Sequence, residues 1–193
     1  MMRIASARKE VKMLKNEGKT THIMVDIETL GRRNDAAIRE VGLVAFLESG
    51  EIIGTLQISV FPEAWNCNNR TFSGETIQWI VSTGAIDPEP NCHSYEMLIE
   101  EMDRFFKDYN GANTRVWAKG NMDFEVLKDL YETLCKPLPW KFWQPRDLRT
   151  INDIFTSRSF KQSQMPHRAV DDAVIQVKEL IYTLRQITQN LHI

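Results

Sequence analysis

The residues of this 193-residue chain best suited to chemistry are carboxylates. Asp26 and Glu28 stand two apart in His22-Ile23-Met24-Val25-Asp26-Ile27-Glu28, whose alternation predicts a β-strand with Ile23, Val25 and Ile27 on one face and His22, Met24, Asp26 and Glu28 on the other. Two residues along a strand put both acids on one face about 6.6 Å apart. At an effective dielectric of roughly 20, two unit charges at that distance repel by about 2.5 kcal/mol. A cation between them reverses the sign, and hard divalent ions prefer carboxylate oxygens. Spacing alone is weak, because Asp87-Pro88-Glu89 repeats it in a loop. What singles out the first pair is its place at the end of an otherwise apolar strand, where a solvated edge is a poor explanation. Asp123 opens a helical pattern in which Leu127, Leu130 and Leu134 follow on the same inward stripe. A first-turn acid complementing the helix dipole, worth about 0.3–1 kcal/mol, is the competing account of it. In Pro166-His167-Arg168-Ala169-Val170-Asp171-Asp172-Ala173, a loop histidine precedes two adjacent acids at a helix opening. An imidazole can accept a proton near neutral pH; a surface histidine and helix capping are the plainer readings. Carboxylates from three separated segments plus one histidine, without a nucleophile elbow, phosphate loop or dinucleotide fingerprint, suit Mg²⁺ or Mn²⁺ and phosphoryl chemistry in which two ions clamp the attacking and leaving oxygens.

These residues need a scaffold that brings the three segments together. Residues 22–28, 38–47 and 52–60 read as three consecutive strands, the last two joined by turn chemistry at Glu48-Ser49-Gly50-Glu51, and an antiparallel arrangement follows. Helical patterns cover residues 75–83 and 94–109, a short apolar strand covers 115–118, and a helix runs from Asp123 to about Leu134, stopped by Pro137 and Pro139. After an irregular Trp- and Pro-rich stretch at 137–147 and a short helix at 148–156, the last helix spans about 169–189 with Ala173, Val177, Leu180 and Leu184 as its buried stripe. The order predicts an α/β domain whose sheet mixes antiparallel hairpins with parallel crossovers. Residues 1–21 read as a basic, amphipathic helical extension, and 22–193 as the domain that carries the chemistry.

Composition sets the outer bounds. The hydrophobic fraction of 42%, with five Trp and nine Phe, supports one folded core and excludes a disordered chain. No stretch is long and apolar enough to span a membrane, the N-terminus lacks the apolar centre of a secretion signal, and three widely spaced cysteines build neither a disulfide framework nor a zinc knuckle. A cytoplasmic protein is expected. The net charge of −2 conceals an asymmetry: residues 1–21 carry +4, residues 22–103 carry −10, residues 104–168 carry +5 and the remainder −1. An acidic half beside a basic one fits a metal or polyanion partner, with a solvated acidic face as the plainer reading.

The order and context of the motifs resemble the DEDD (DnaQ-like) 3′–5′ exonucleases. Val25-Asp26-Ile27-Glu28-Thr29-Leu30-Gly31 is similar to their first motif, the turn from Gly120 to Asp123 to their second, and His167-Arg168-Ala169-Val170-Asp171-Asp172 to the histidine form of their third, which selects Asp172 over Asp171. Met122 stands where relatives usually carry Phe. Thr76-Ile77-Gln78-Trp79 and residues 141–150 resemble the subgroup containing phage-encoded exodeoxyribonucleases and related bacterial exoribonucleases. The resemblance implies a ribonuclease H-like α/β fold, with a central mixed five-stranded sheet whose first three strands are antiparallel, flanked by helices. It implies two Mg²⁺ or Mn²⁺ ions held by Asp26, Glu28, Asp123 and Asp172, with His167 taking the proton from the attacking water and 5′-mononucleotides as product. Thr29 and Leu30 would line the terminal-nucleotide pocket and Trp79 would stack on a base, against a core role for that Trp. Arg146 would contact a phosphate and Asp147 brace the site, with a surface ion pair as the alternative. The expected partner is the 3′ end of single-stranded nucleic acid, DNA ahead of RNA, met by a monomer or homodimer, in a host's cytoplasm if the protein is phage-encoded. An exoribonuclease, a polymerase-associated proofreading subunit and a non-catalytic nucleic-acid-binding module are the alternatives.

Overall fold

A computed structural model describes residues 21–85, 89–155 and 167–190. The basic N-terminal extension expected at the start of the chain, apart from Thr21, lies outside the described residues, as do Asp87 and Pro88 of the repeated acid spacing. Five strands form one sheet: β1 (Thr21–Thr29), β2 (Ile38–Leu47), β3 (Ile52–Ser59), β4 (Arg115–Ala118) and β5 (Pro145–Asp147), in the order β3-β2-β1-β4-β5. β1 pairs antiparallel with β2 and β2 with β3, whereas β4 runs parallel to β1 and β5 parallel to β4. This is the mixed α/β sheet that the element order predicts, with the five strands that the resemblance implies. Its fifth strand lies at the end of the stretch that reads as irregular, because three residues are too few to establish an alternation.

Helices cover both faces. Helix α1 (Gly74–Thr83) starts at Ser73, whose hydroxyl accepts from Thr76 N, and ends at Gly84 in the left-handed region. Helices α2 (Tyr95–Tyr109) and α3 (Met122–Thr133) bury Leu98, Met102, Phe106, Leu127, Leu130 and Tyr131 against one face, with Ile23 and Val25 of β1. On the opposite face, the short α4 (Leu148–Phe155) and the long α5 (Ala169–Asn190) cover Met24, Val44, Phe46 and Trp117 with Leu148, Ala173, Val177, Leu180 and Ile181. Both faces of β1 are therefore buried, and its His22 and Asp26 lie under α5 rather than in solvent.

Two glycines set where the helices meet the sheet. Gly42 of β2 lies opposite Asp26 in register, and a Cβ there would fall 2.2 Å from the backbone carbon of Ala169. Only glycine lets the first turn of α5 rest directly on the sheet. Gly120, with φ +110°, makes the tight turn from β4 into α3, and its N–H donates to Asp147 Oδ1 at 2.9 Å.

Candidate active site

The C-terminal end of β1 supplies two acids, the first turn of α3 a third, and the first turn of α5 a fourth. Asp26 Oδ1 accepts from Gln176 Nε2 at 2.6 Å. Glu28 has a guanidinium nitrogen of Arg39 at 3.7 Å. Asp123 reaches across from α3, its Oδ1 accepting from Ile27 N at 3.1 Å, so the third acid is tied to the backbone between the first two. Asp172 is 3% exposed, and its Oδ1 is buried without a hydrogen-bond partner among the described residues. His167, just before α5 and in the left-handed region at φ 55°, completes the group: one ligand atom each from Glu28, His167 and Asp172 lie within 4.8 Å of one another. Its ring meets the edge of Trp79, centroids 4.7 Å apart and planes at 84°.

This gathering is electrostatically unfavourable as it stands. Burial, followed by Asp123 and Glu28, pushes the Asp26 carboxyl well above the ordinary range, against the hydrogen bond from Gln176. Burial lifts Glu28 to about 7 despite Arg39, with Asp172, Glu40 and Asp123 adding to the rise. Asp123 rises to about 6 chiefly through burial, opposed by the Ile27 N–H. Asp172 also rises, again through burial first, although His167 works against it. Four neighbouring acids, all driven toward protonation by desolvation and Asp26 and Glu28 also by the charge of their neighbours, form a set that a divalent cation would relieve. The orphaned buried oxygen of Asp172 fits the same requirement.

Residues 21–184 match the family described as 3′–5′ exoribonuclease Rv2179c-like domain. The chain belongs to this family of 3′–5′ exonucleases. A similar protein is the exodeoxyribonuclease of Enterobacteria phage T4, 24% identical, with 78% of this chain and 79% of that protein covered. Among solved structures, the nuclease domain of 3′hExo, a DEDDh family member bound to rAMP, shares the fold with a TM-score of 0.62 at 14% identity, over 86% of this chain and 92% of that one. The E. coli exonuclease I complex with single-stranded DNA does so with a TM-score of 0.62 at 13% identity, over 89% of this chain and 40% of that longer one. The Rv2179c-like chain is thus a nuclease on a ribonuclease H-like scaffold.

In this Rv2179c-like exonuclease a cleft of about 350 Å³ opens beside the acids, walled by Glu28, Thr29, Trp79, Lys119, Asp123 and Arg149 among others. Thr29 lines it while its hydroxyl donates to Gly31 O at 2.7 Å. Trp79, 44% exposed, faces the cleft rather than the core. Leu30 does not reach it: the side chain is 5% exposed, and its backbone is fixed by Leu30 N to Ala37 O and Ser73 N to Leu30 O. Arg146 is not brought to the cleft either, since its Nη1 donates to the carbonyls of Trp143 and Pro145. Arg149, three residues further on in α4, takes the wall position instead. Asp147 accepts from Gly120 N, Arg149 N and the Thr150 hydroxyl, joining the turn before Asp123 to the start of α4. Burial acts to raise its carboxyl, but these hydrogen bonds together hold it below the ordinary range. Sequence reasoning missed Arg39, Lys119, Arg149 and Gln176; only Gln176 carried a signal, its helical spacing of four from Asp172.

Proposed function

We propose that this exonuclease removes nucleotides singly from the 3′ ends of single-stranded nucleic acid, DNA in preference to RNA, and that it depends on Mg²⁺ or Mn²⁺, two ions per site. The observation that carries the reading is the convergence of Asp26, Glu28, Asp123, Asp172 and His167 at one end of β1 beside an open cleft. The four carboxylates would hold the cations, which supply charge for the developing oxyanions and lower the pKa of water toward neutrality. His167, on a loop at the helix entrance, accepts the proton of the attacking water at an imidazole nitrogen. The water oxygen bonds to phosphorus, the bond to the 3′-oxygen of the preceding nucleotide breaks, and that oxygen collects a proton from solvent, releasing a 5′-mononucleotide. Thr29 and Trp79 bound the pocket for the terminal nucleotide, and Arg149, which lines the same cleft, contacts its phosphate.

Similarity to the phage exodeoxyribonuclease supports DNA, and the family description, which names an exoribonuclease, supports RNA as the second reading. Matched single-stranded DNA and RNA oligonucleotides, labelled at either end and incubated with and without Mg²⁺, decide between them. The expected result is a stepwise ladder from the 5′-labelled DNA that requires Mg²⁺. Immediate release of the 5′ label as mononucleotide overturns the polarity, faster loss of RNA replaces DNA with RNA, and no release from either overturns the reading.

A further inference from the structure

The face of α5 turned toward the site carries more than Asp172. Asp172, Gln176, Glu179 and Thr183 follow at spacings of four, three and four, which places them on one stripe about 16 Å long. All four are buried, with Gln176 at 2% and Thr183 at 0% exposure. A buried polar stripe beside an apolar one needs partners, and here the partners lead to the cleft. Gln176 Nε2 holds Asp26 Oδ1 at 2.6 Å. Glu179 Oε2 meets Lys119 Nζ at 2.8 Å, while its other oxygen accepts from Asn152 Nδ2 at 2.9 Å. Thr183 Oγ1 in turn donates to Asn152 Oδ1 at 2.9 Å. Lys119 lines the cleft with Glu28 and Asp123. An ammonium carries three donors, and Glu179 is the hydrogen-bond acceptor the structure gives it.

We propose that α5 is the positioning element of the whole cleft: Gln176 fixes the carboxylate of Asp26 for its cation, and Glu179, braced by Asn152 and Thr183, holds Lys119 at the wall as a contact to the substrate's phosphate backbone. The Lys119 half rests on the exonuclease reading. The logic is that of a ligand oriented by its neighbours: a hydrogen bond to one oxygen of Asp26 removes rotational freedom and leaves the other oxygen available. Lys119 would otherwise be a flexible chain with no fixed direction; the carboxylate behind it gives the charge a place.

Substitutions at three residues test this. Mn²⁺ affinity, measured by calorimetry on protein without substrate, should fall about tenfold or more in Gln176→Leu, with the melting curve still cooperative; Gln176→Asn, whose amide is too short to reach, serves if the leucine variant does not fold. Lys119→Met should keep Mn²⁺ affinity, raise KM for a single-stranded oligonucleotide several-fold with kcat nearly unchanged, and make log KM less steep in log salt by about 0.7, the signature of one lost phosphate contact on a single strand. Glu179→Gln should raise KM in the same direction, and Lys119→Arg should restore most of the loss. Wild-type Mn²⁺ affinity in both Gln176 variants overturns the Gln176 half. An unchanged KM and salt slope in Lys119→Met overturns the Lys119 half. A wild-type protein that releases no nucleotide overturns the exonuclease reading and the Lys119 half with it, while Mn²⁺ affinity still decides the role of Gln176.

Discussion

His22 and Asp26 lie on the same face of β1, both beneath α5, and burial moves them in opposite senses. Desolvation, aided by Arg115, pushes the His22 imidazole down to about 4, so the ring is neutral. Its Nδ1 accepts from Trp117 Nε1 at 2.9 Å and its plane stacks on Phe46 at 5.0 Å between centroids. The charge on that residue is removed within the protein, although Nε2, the nitrogen left to carry the proton, is buried without a hydrogen-bond partner among the described residues. At the other end, Asp26 and its neighbours Glu28, Asp123 and Asp172 are all raised by burial, and for Asp26 and Glu28 the neighbouring acids are part of the cause. Identical placement on a strand yields core at one end and a site at the other. The difference is whether the chain neutralises the buried group itself or leaves the charge for a ligand.

The largest effect should come from the acidic end. Asp26→Asn removes a cation ligand and one repelling charge together, so nucleotide release should fall by about 10³-fold. The metal-free protein should melt a few degrees higher, about 2–4 °C for each kcal/mol relieved. A lower melting temperature would break the contrast, showing that Asp26 is as well satisfied as His22. Next in size, His167→Ala should slow release by about 10²–10⁴-fold while Mn²⁺ still binds. If Mn²⁺ affinity collapses instead, His167 belongs to the cation set, consistent with its place in the Glu28–Asp172 group, and the proton acceptor must be sought elsewhere.

A smaller effect should follow from moving the cover rather than the acids. Gly42→Ala places a methyl group on the backbone of Ala169 and Val170, so the first turn of α5 must lift. Overpacking of this kind costs about 1–3 kcal/mol, and Asp172 should leave the cluster with the turn. Weaker Mn²⁺ binding with the Trp117–His22 end unaffected, read from the Trp and His resonances by NMR, would show that the two ends respond separately. Equal disturbance at both would show that α5 moves as one rigid piece.

How much of this was legible in the sequence depended on what kind of burial was involved. Asp26 and Glu28 could be placed because strand alternation assigns a face, and Asp123 because apolar neighbours mark the inward stripe of its helix. The mixed character of the sheet followed from three consecutive strands and the helices that separate the later ones, while the strand order itself came from the structure. Gln176, Glu179 and Thr183 could not be read the same way. Polar residues at helical spacing beside the Ala173–Leu184 stripe look like a solvated flank, and only the sheet, with α4 alongside, shows that the flank is covered. Arg146 and Arg149 differ by three residues in the same stretch, and the choice between them depended on where β5 ends and α4 begins. Leu30 follows the first motif directly, yet a turn whose backbone bonds to Ala37 and Ser73 takes its side chain inward.

The finest test of the contrast is the pH dependence of stability, because the two ends have opposite signs. Glu28 titrates at about 7 in the fold against an ordinary 4.5, and Asp123 at about 6 against 3.8. Between those limits the folded chain holds protons that the unfolded chain has released, so acidification from about pH 7 stabilises the metal-free protein at this end. His22 titrates at about 4 against 6.5. As pH falls through that window the unfolded chain takes up a proton that the fold refuses, so stability is lost there, by about 1–2 kcal/mol at pH 5. In wild-type protein without metal the two trends offset. In His22→Asn, which keeps an acceptor for Trp117 but does not titrate in this range, only the carboxylate trend should remain, and the melting temperature should climb between pH 7 and 5. In wild-type protein saturated with Mg²⁺, where the acids are held ionised, only the histidine trend should remain, and the melting temperature should fall over the same interval. Parallel slopes in the two experiments would mean that both ends are governed by one set of groups, and the division between a self-neutralised core and a ligand-dependent site would have to be given up.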